Sequence, residues 1–128
     1  MTRGLADTSL FIASGAGRHL SVEGVPESLA VSIITVAELR AGVLAARDLE
    51  TRARRLKTLA YVSGFDVIPI AEEVAESWAE LRVALRDAGR RLGVNDAWIA
   101  ATAMALRIPL VSQDRDFDHV PGLSVVLV

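Results

Sequence analysis

The sequence predicts an α/β fold with a mainly parallel central sheet of about five short strands flanked by helices. Short apolar runs alternate along the chain with longer segments of helical spacing, a pattern typical of strand–helix–strand units. The runs Ala30–Ile34 and Leu110–Val111 are apolar on both faces, as central strands of a parallel sheet should be. The 128 residues lie within the usual size of one domain, so we expect a single domain over residues 1–128.

The first half of the chain contains two predicted strands and three predicted helices. Gly4–Asp7 is a short strand that leads into a helix at Thr8–Ser14. Ala30–Ile34 is a compact β-branched run, which indicates a buried strand, and a helix follows from about Val36 to Ala46. The next helix has one apolar face, which is formed by Leu49, Ala53, Leu56 and Ala60.

The second half repeats the alternation of strands and helices. Asp66–Ile70 is a brief strand closed by Pro69, and a long amphipathic helix follows and ends near Gly89. A helix rich in alanine covers Asp96–Arg107. The apolar face of the long helix is formed by Val74, Trp78, Leu81 and Leu85. The last two strands are Leu110–Ser112 and Ser124–Leu127.

The composition excludes several classes of protein. Because the chain has no cysteine, it has no disulfide framework, no cysteine-ligated metal and no thiol nucleophile. This fits a reducing compartment, and we expect a cytoplasmic protein. A hydrophobic content of 52% excludes a disordered chain and suggests that some apolar surface lies in a partner interface. Uncharged stretches reach ten residues, half of what a membrane span needs, so we expect no membrane association.

The charge balance argues against a protein that binds nucleic acid through bulk positive charge. Fourteen basic residues oppose sixteen acidic ones, which gives a net charge of −2. Aromatic residues make up only 5% of the chain, too few for a base-stacking platform. Any such binding would therefore depend on a local site.

Acidic residues lie at the junctions between predicted elements, on what should be one edge of the sheet: Asp7, Glu38, Asp96, Asp114 and Asp116. Ligands of parallel sheets bind at the carboxyl ends of the strands, which is where these acids lie. Taken singly, each acid can be explained as a helix cap. The caps would be Asp7 before Thr8, Thr35 with Glu38 as a capping box, Asn95 or Asp96 before the alanine-rich helix, and Asp114 before the turn at Arg115–Phe117.

Taken together, the acids suggest more than capping. Asp7, Glu38 and Asp96 are each flanked by apolar residues, where an unpaired carboxylate is costly. Several carboxylates at one edge would also repel one another, and a divalent cation would remove that repulsion. Hard cations such as Mg²⁺ and Mn²⁺ prefer oxygen ligands, and sites with two such ions activate water for attack on phosphodiesters.

Four segments carry a resemblance to a known family. In order along the chain they match an opening strand with its acid, an E-L-x-x-G segment, a helix with a third acid, and a closing T-x-D-x-D-F pattern. With these motifs in this order, the sequence resembles PIN domains, and more narrowly the VapC-type toxins of toxin–antitoxin pairs. The segments are Leu5–Ser9, Thr35–Gly42, Gly93–Ala103 and Pro109–Phe117.

The resemblance implies a three-layer PIN-like sandwich and a metal-dependent endoribonuclease that uses Mg²⁺ or Mn²⁺. By matching position, the catalytic and metal-binding acids would be Asp7, Glu38, Asp96 and Asp114, with Asp116 as an accessory metal-binding acid. Support for these acids would come from Thr8, Ser9 and Ser112, the last of which replaces the family's usual threonine.

The resemblance also implies three partners: an RNA substrate, a small DNA-binding antitoxin, and a second copy of the chain in a homodimer. Two arginine runs, Arg52–Arg55 and Arg82–Arg91, are interpreted as solvated helix faces, with the second as an alternative contact for RNA phosphates.

Other functions remain open. A PIN fold can act as a non-catalytic scaffold, although the complete acid set argues against it. A phospho-acceptor receiver domain needs a lysine after a late strand, and the only lysine, Lys57, lies within a predicted helix. A phosphatase with an aspartyl nucleophile needs a second Asp at the position of Ser9.

Overall fold

The structure, a computed structural model, describes residues 2–15 and 23–128. Its centre is a five-stranded sheet in which every neighbouring pair of strands is parallel, with the strand order β3-β2-β1-β4-β5. The predicted α/β class and the parallel sheet of five strands are confirmed. The strands are β1 (Arg3–Ala6), β2 (Ser28–Ser32), β3 (Asp66–Ile68), β4 (Leu110–Ser112) and β5 (Val125–Leu127).

Helices connect the strands and cover the sheet. Residues 115–117 add a single 3₁₀ turn after β4. Among the described helices, none is long and apolar enough to cross a membrane. The helices are α1 (Thr8–Gly15), α2 (Ile33–Ala45), α3 (Leu49–Ser63), α4 (Glu72–Asp87) and α5 (Val94–Leu106).

The sheet has a hydrophobic core on each face. In β1, Leu5 belongs to the core formed with α4 and α5, whereas the adjacent Ala6 belongs to the core formed with α1, α2 and α3. Adjacent strand residues point to opposite faces, so this division is what a doubly covered strand requires. Both residues are fully buried, and the result is the three-layer sandwich that the resemblance implies.

The junction of β2 and α2 differs from the prediction. The strand ends at Ser32, and Ile33 and Ile34 begin the helix instead of extending the strand. The Ser32 side chain accepts a hydrogen bond from the Ile34 backbone N–H (3.0 Å) and so caps α2. A run of β-branched residues does not reveal this boundary, because the apolar run continues from the strand into the first helical turn, where Ile33 is 39% exposed.

The predicted apolar face of α3 is wrong. Leu49 and Leu56 are 84% and 53% exposed, whereas Leu59 and Val62 are buried. The helix carries two apolar stripes, and only the second meets the core that α1 and α2 share with the sheet. By contrast, the predicted face of α4 is correct, since the buried residues of that helix are Val74, Leu81 and Leu85.

The register brings the ends of three strands into one row. Ala6, the last residue of β1, lies beside Val31 of β2 and Val111 of β4. Chain order reverses at β1, because β2 follows on one side and the much later β4 lies on the other. Such a switch point is where parallel sheets bind ligands, and the residues that follow these strands therefore form the candidate site.

We expect opposite effects from two glycine-to-alanine substitutions. A Cβ at Gly4 in β1 would lie 2.8 Å from Pro26 Cγ and 3.2 Å from Val111 Cγ2, so Gly4→Ala should reduce the free energy of unfolding by about 1–3 kcal/mol. A Cβ at Gly42, inside α2, would have its nearest neighbour at 3.9 Å, in Arg55. Gly42→Ala should therefore increase the free energy of unfolding by about 0.4–1 kcal/mol.

Urea denaturation of the two variants and the parent checks this pair. Equal stabilities for Gly4→Ala and the parent would show that β1 does not approach its neighbours as closely as described.

Candidate active site

Asp7 lies directly after the central strand and is 3% exposed. Its backbone N–H donates to the Val111 carbonyl (2.9 Å), which continues the β1–β4 pairing by one residue. Its Oδ2 accepts hydrogen bonds from the hydroxyls of Ser9 (2.7 Å) and Ser112 (2.8 Å). Its Oδ1 receives no hydrogen bond from the described residues. One carboxylate oxygen is thus fixed, and the other is available to a ligand.

The capping explanation accounts for little of this arrangement. The Ser9 backbone N–H lies 3.4 Å from Asp7 Oδ2, a long contact compared with the two hydroxyl bonds. Each hydroxyl also accepts a hydrogen bond from the backbone that follows β4. Gln113 N–H donates to Ser9 Oγ (3.1 Å), and Asp114 N–H donates to Ser112 Oγ (2.9 Å). The two serines therefore orient Asp7 and the segment that carries Asp114.

Glu38 is positioned by a pair of threonines. Thr8 Oγ1 lies 2.8 Å from Glu38 Oε1 and 2.9 Å from Thr35 Oγ1. An ionised carboxylate can only accept, so the single hydroxyl proton of Thr8 goes to Glu38, and Thr35 must donate to Thr8. The order of donation is therefore Thr35 to Thr8 to Glu38, and it begins at a fully buried hydroxyl.

The predicted capping box of Thr35 and Glu38 is wrong, because Ser32 caps α2 and Thr35 lies inside the helix. Sequence reasoning did not identify Thr35 as a residue that supports the site. The three-residue spacing to Glu38 contained the signal, since it puts both side chains on one face of a helix.

Asp96 lies in the first turn of α5, whose N-cap is Gly93, so neither Asn95 nor Asp96 is the cap. Burial and, after it, the charges of neighbouring carboxylates together raise the pKa of Asp96 to about 6. A position near a helix N-terminus favours a negative charge, yet burial and repulsion prevail. In decreasing order of effect on the Asp96 pKa, the neighbouring carboxylates are Asp7, Asp114, Glu38 and Asp116.

Asp114 and Asp116 differ in position. Asp114 Oδ1 accepts from the Asp116 backbone N–H (2.8 Å) and caps the 3₁₀ turn, as predicted. Phe117 in that turn is fully buried, which anchors the segment against the core. Asp116 is exposed and has the smallest effect on the pKa of Asp96. Of the two, Asp114 therefore has the larger effect on the pKa of Asp96.

The donor set matches a hard divalent cation in its chemistry, because every side chain in it offers oxygen. Burial is the largest cause of the raised pKa of Asp96, and the negative charges of the neighbouring carboxylates come second; a cation would neutralise those charges. Within residues 2–15 and 23–128, however, no three Asp, Glu or His side chains stand close enough together to enclose an ion. Cation binding would therefore require side-chain rotations that draw the carboxylates together.

Comparisons with known proteins agree with this architecture. The PIN domain family model matches residues 5–123. The chain is 43% identical to ribonuclease VapC5 of Mycobacterium tuberculosis over 123 residues, which cover 96% of this chain and 91% of that protein. It is 42% identical to ribonuclease VapC4 of the same organism, with 98% and 97% of the two chains covered.

Solved structures give the same result. A crystal structure of VapBC-5 from Mycobacterium tuberculosis, a member of the VapBC family of toxin–antitoxin systems, matches with a TM-score of 0.91 and 39% identity over the whole of both chains. A toxin–antitoxin complex from Klebsiella pneumoniae matches with a TM-score of 0.72 and 30% identity, and 96% and 95% of the chains are covered. The chain therefore belongs to the PIN-domain family and, within it, to the VapC group.

The raised pKa of Asp96 predicts a pH-dependent gain from the substitution Asp96→Asn in the presence of EDTA. Asp96 binds its proton more tightly in the folded chain, where its pKa is about 6, than in the unfolded chain, where it is 3.8. The stability that comes from this tighter proton binding is fully present below pH 3.8 and is lost as the pH rises through about 6. The melting temperature of Asp96→Asn, relative to the parent, should therefore rise between pH 4 and pH 7. Each ~1 kcal/mol of difference in the free energy of unfolding corresponds to roughly 4 °C.

Asp48→Asn is the matched control for this experiment. The Thr51 backbone N–H and hydroxyl hold the pKa of Asp48 below its ordinary value, so its contribution to stability is lost as the pH falls. That loss occurs below pH 3.8, so the difference between Asp48→Asn and the parent should stay nearly constant between pH 4 and pH 7. A difference between Asp96→Asn and the parent that does not vary with pH would contradict the raised pKa of Asp96, and with it the effect of burial and of the neighbouring carboxylates.

Proposed function

We propose that the protein is a metal-dependent endoribonuclease that acts as the toxin of a toxin–antitoxin pair. The main observation is that Asp96 lies near four other carboxylates at the switch point of the sheet, which help to raise its pKa, and that two serine hydroxyls orient one of them, Asp7. The names of VapC5 and VapC4, both called ribonucleases, support the activity.

The acids have distinct parts in this proposal. The cation, Mg²⁺ or Mn²⁺, would be held by Asp7, Glu38, Asp96 and Asp114, with Asp116 at the edge of the site. When bound, such an ion supplies charge stabilisation at the phosphate and lowers the pKa of a coordinated water.

The chain itself supplies orientation and proton release. Ser9 and Ser112 hold Asp7 Oδ2, so that Oδ1 faces a ligand, and Thr8 holds Glu38. Asp96 must give up its proton before it can bind a cation, and its pKa of about 6 permits this at neutral pH.

We also propose a protein partner. The VapBC-5 and Klebsiella pneumoniae structures are described as members of toxin–antitoxin systems, which supports a cognate antitoxin for this chain. Such an antitoxin would be a small DNA-binding protein. A homodimer, which the apolar composition and the resemblance suggest, stays a prediction.

We expect the purified protein to cleave RNA with Mg²⁺ or Mn²⁺ and to stop when EDTA is added. Asp7→Asn and Asp96→Asn should each lower the cleavage rate at least ~100-fold, because they remove oriented negative charge from the reacting centre. Asp87→Asn is the matched control, since Asp87 is exposed on α4 and pairs with Arg86 outside the acid set. The measurement is the initial rate of cleavage of a labelled RNA pool.

Two outcomes would contradict the proposal. Cleavage that persists in EDTA or in Asp7→Asn would exclude the metal mechanism at these acids. Binding of RNA without cleavage under any divalent cation would favour the non-catalytic PIN-fold module.

Thr8 and Thr35 should affect cleavage through the same chain of hydrogen bonds, which ends at Glu38. Thr8→Val removes a hydrogen bond to a charged group and should lower kcat roughly 10–100-fold, whereas Thr8→Ser should retain activity. Thr35→Val, which leaves Thr8 in place, should lower kcat about 2–10-fold with an unchanged KM. The double variant should match Thr8→Val alone, because Thr35 acts only through Thr8. Additive losses measured by steady-state kinetics would show that Thr35 acts elsewhere.

A further inference from the structure

A groove leads away from the acids between α1, α2 and α3. It has a volume of about 690 Å³ and begins at Thr8 and Glu38, so it is continuous with the candidate active site. Its far end is formed by three residues of α3: Arg54, Arg55 and Thr58. Whatever occupies the far end of this groove can therefore extend to the acids without leaving the surface.

The groove carries opposite charges at its two ends. Among the residues that the structure describes, Glu38 is the only acidic side chain that lines it, whereas Arg54 and Arg55 are both exposed at the other end. The salt bridges in the described part of the chain involve neither of these arginines. Their guanidinium groups are therefore available to an anionic ligand from outside.

Arg55 is also held in place. Its Nη1 donates to the Gly42 carbonyl of α2 (2.8 Å), which bridges the two helices across the groove. A guanidinium has five N–H donors in a planar fork, so this one bond leaves others for a second acceptor. Because the guanidinium is already ordered, it loses less conformational entropy when it binds a phosphate in a bidentate way.

The wall between the two charged ends is apolar. Phe11 and Leu39 are buried in the core beneath the groove, and Ile12 is 52% exposed along it. An aliphatic wall of this kind can cover the sugars of a strand, while the phosphates seek cations. The sequence of acids, apolar wall and arginines matches a nucleotide strand whose cleaved phosphate lies at the acids.

The other arginine run is already engaged within the protein. Arg82 lies over the Trp78 ring (5.6 Å to its centroid), and Arg86 pairs with Asp87 (3.2 Å). Arg90 donates to the Asp118 carbonyl (2.7 Å). Three of the arginines in Arg82–Arg91 thus have partners within the protein, and no arginine of that run lines the groove that begins at Glu38, so α3 is the better source of phosphate contacts.

We propose that this groove binds the RNA strand on one side of the cleavage point, with Arg54 and Arg55 as its phosphate contacts. The inference rests on the proposed ribonuclease function and adds the path of the substrate. It requires the two arginines to act on substrate binding and not on the chemical step.

The test compares Arg54→Gln/Arg55→Gln with Lys57→Gln/Arg91→Gln, which removes the same charge from exposed positions outside the groove. For each phosphate contact to a single strand, affinity rises about 5-fold when the salt concentration falls from ~1 M to ~0.1 M. We therefore expect KM to rise about 25-fold in the first variant with kcat unchanged, and to stay within about 2-fold of the parent in the second.

Binding of a fluorescein-labelled single-stranded RNA in EDTA, measured by anisotropy, separates this inference from the proposed function. The slope of log Kd against log salt should fall by about 1.4 in the arginine variant. A parent that binds and cleaves RNA, with equal KM and slope in both variants, would overturn the groove assignment alone. A parent that neither binds nor cleaves RNA would overturn both proposals.

A third variant blocks the groove without a change of charge. Thr58→Trp places a large side chain in its far end and should raise KM and Kd, while the salt slope stays close to that of the parent. Circular dichroism of each variant verifies the fold. If all groove variants bind RNA normally but lose inhibition by an antitoxin, the groove belongs to that protein partner and the proposal is overturned.

Discussion

Two serine hydroxyls on one carboxylate oxygen hold the centre of this protein in place. A carboxylate as buried as Asp7 is costly unless it accepts hydrogen bonds, and Ser9 and Ser112 provide them. Because Asp7 follows β1 and Ser112 ends β4, the same bonds join two strands that are far apart in sequence. The segment that carries Asp114 is fixed by the backbone bonds these serines accept, so the position of that acid depends on them as well.

The acids are arranged at the expense of stability. Asp96 is placed where burial and four other carboxylates disfavour its charge, although a protonated or apolar side chain would suit the fold better. Functional sites often retain such unfavourable placements, which the rest of the structure compensates. Here the compensation comes from a sheet whose central strands are fully buried on both faces.

The two helical layers have different roles. The layer of α4 and α5 packs its apolar side chains against the sheet, and most of the arginines of residues 82–91 contact other residues of the same chain. The layer of α1, α2 and α3 leaves a groove open to the acids, with exposed arginines at its far end. The protein therefore has two local sites of opposite charge, the acids and the arginines of α3. The net charge of −2 is a total and indicates neither of them.

The sequence by itself determined the fold class and the parallel strands, and it predicted that five acids share one edge of the sheet, because alternating apolar runs and residues that follow strands are local features. It could not determine which apolar stripe of α3 is buried, since Leu49 and Leu59 differ only in which neighbours tertiary packing brings to them. Nor could it show that Thr35 supports Glu38 through Thr8, or that Arg55 rather than Arg90 lines a groove. Those contacts join residues that are far apart in the chain, and only the packing of the helices on the sheet decides them.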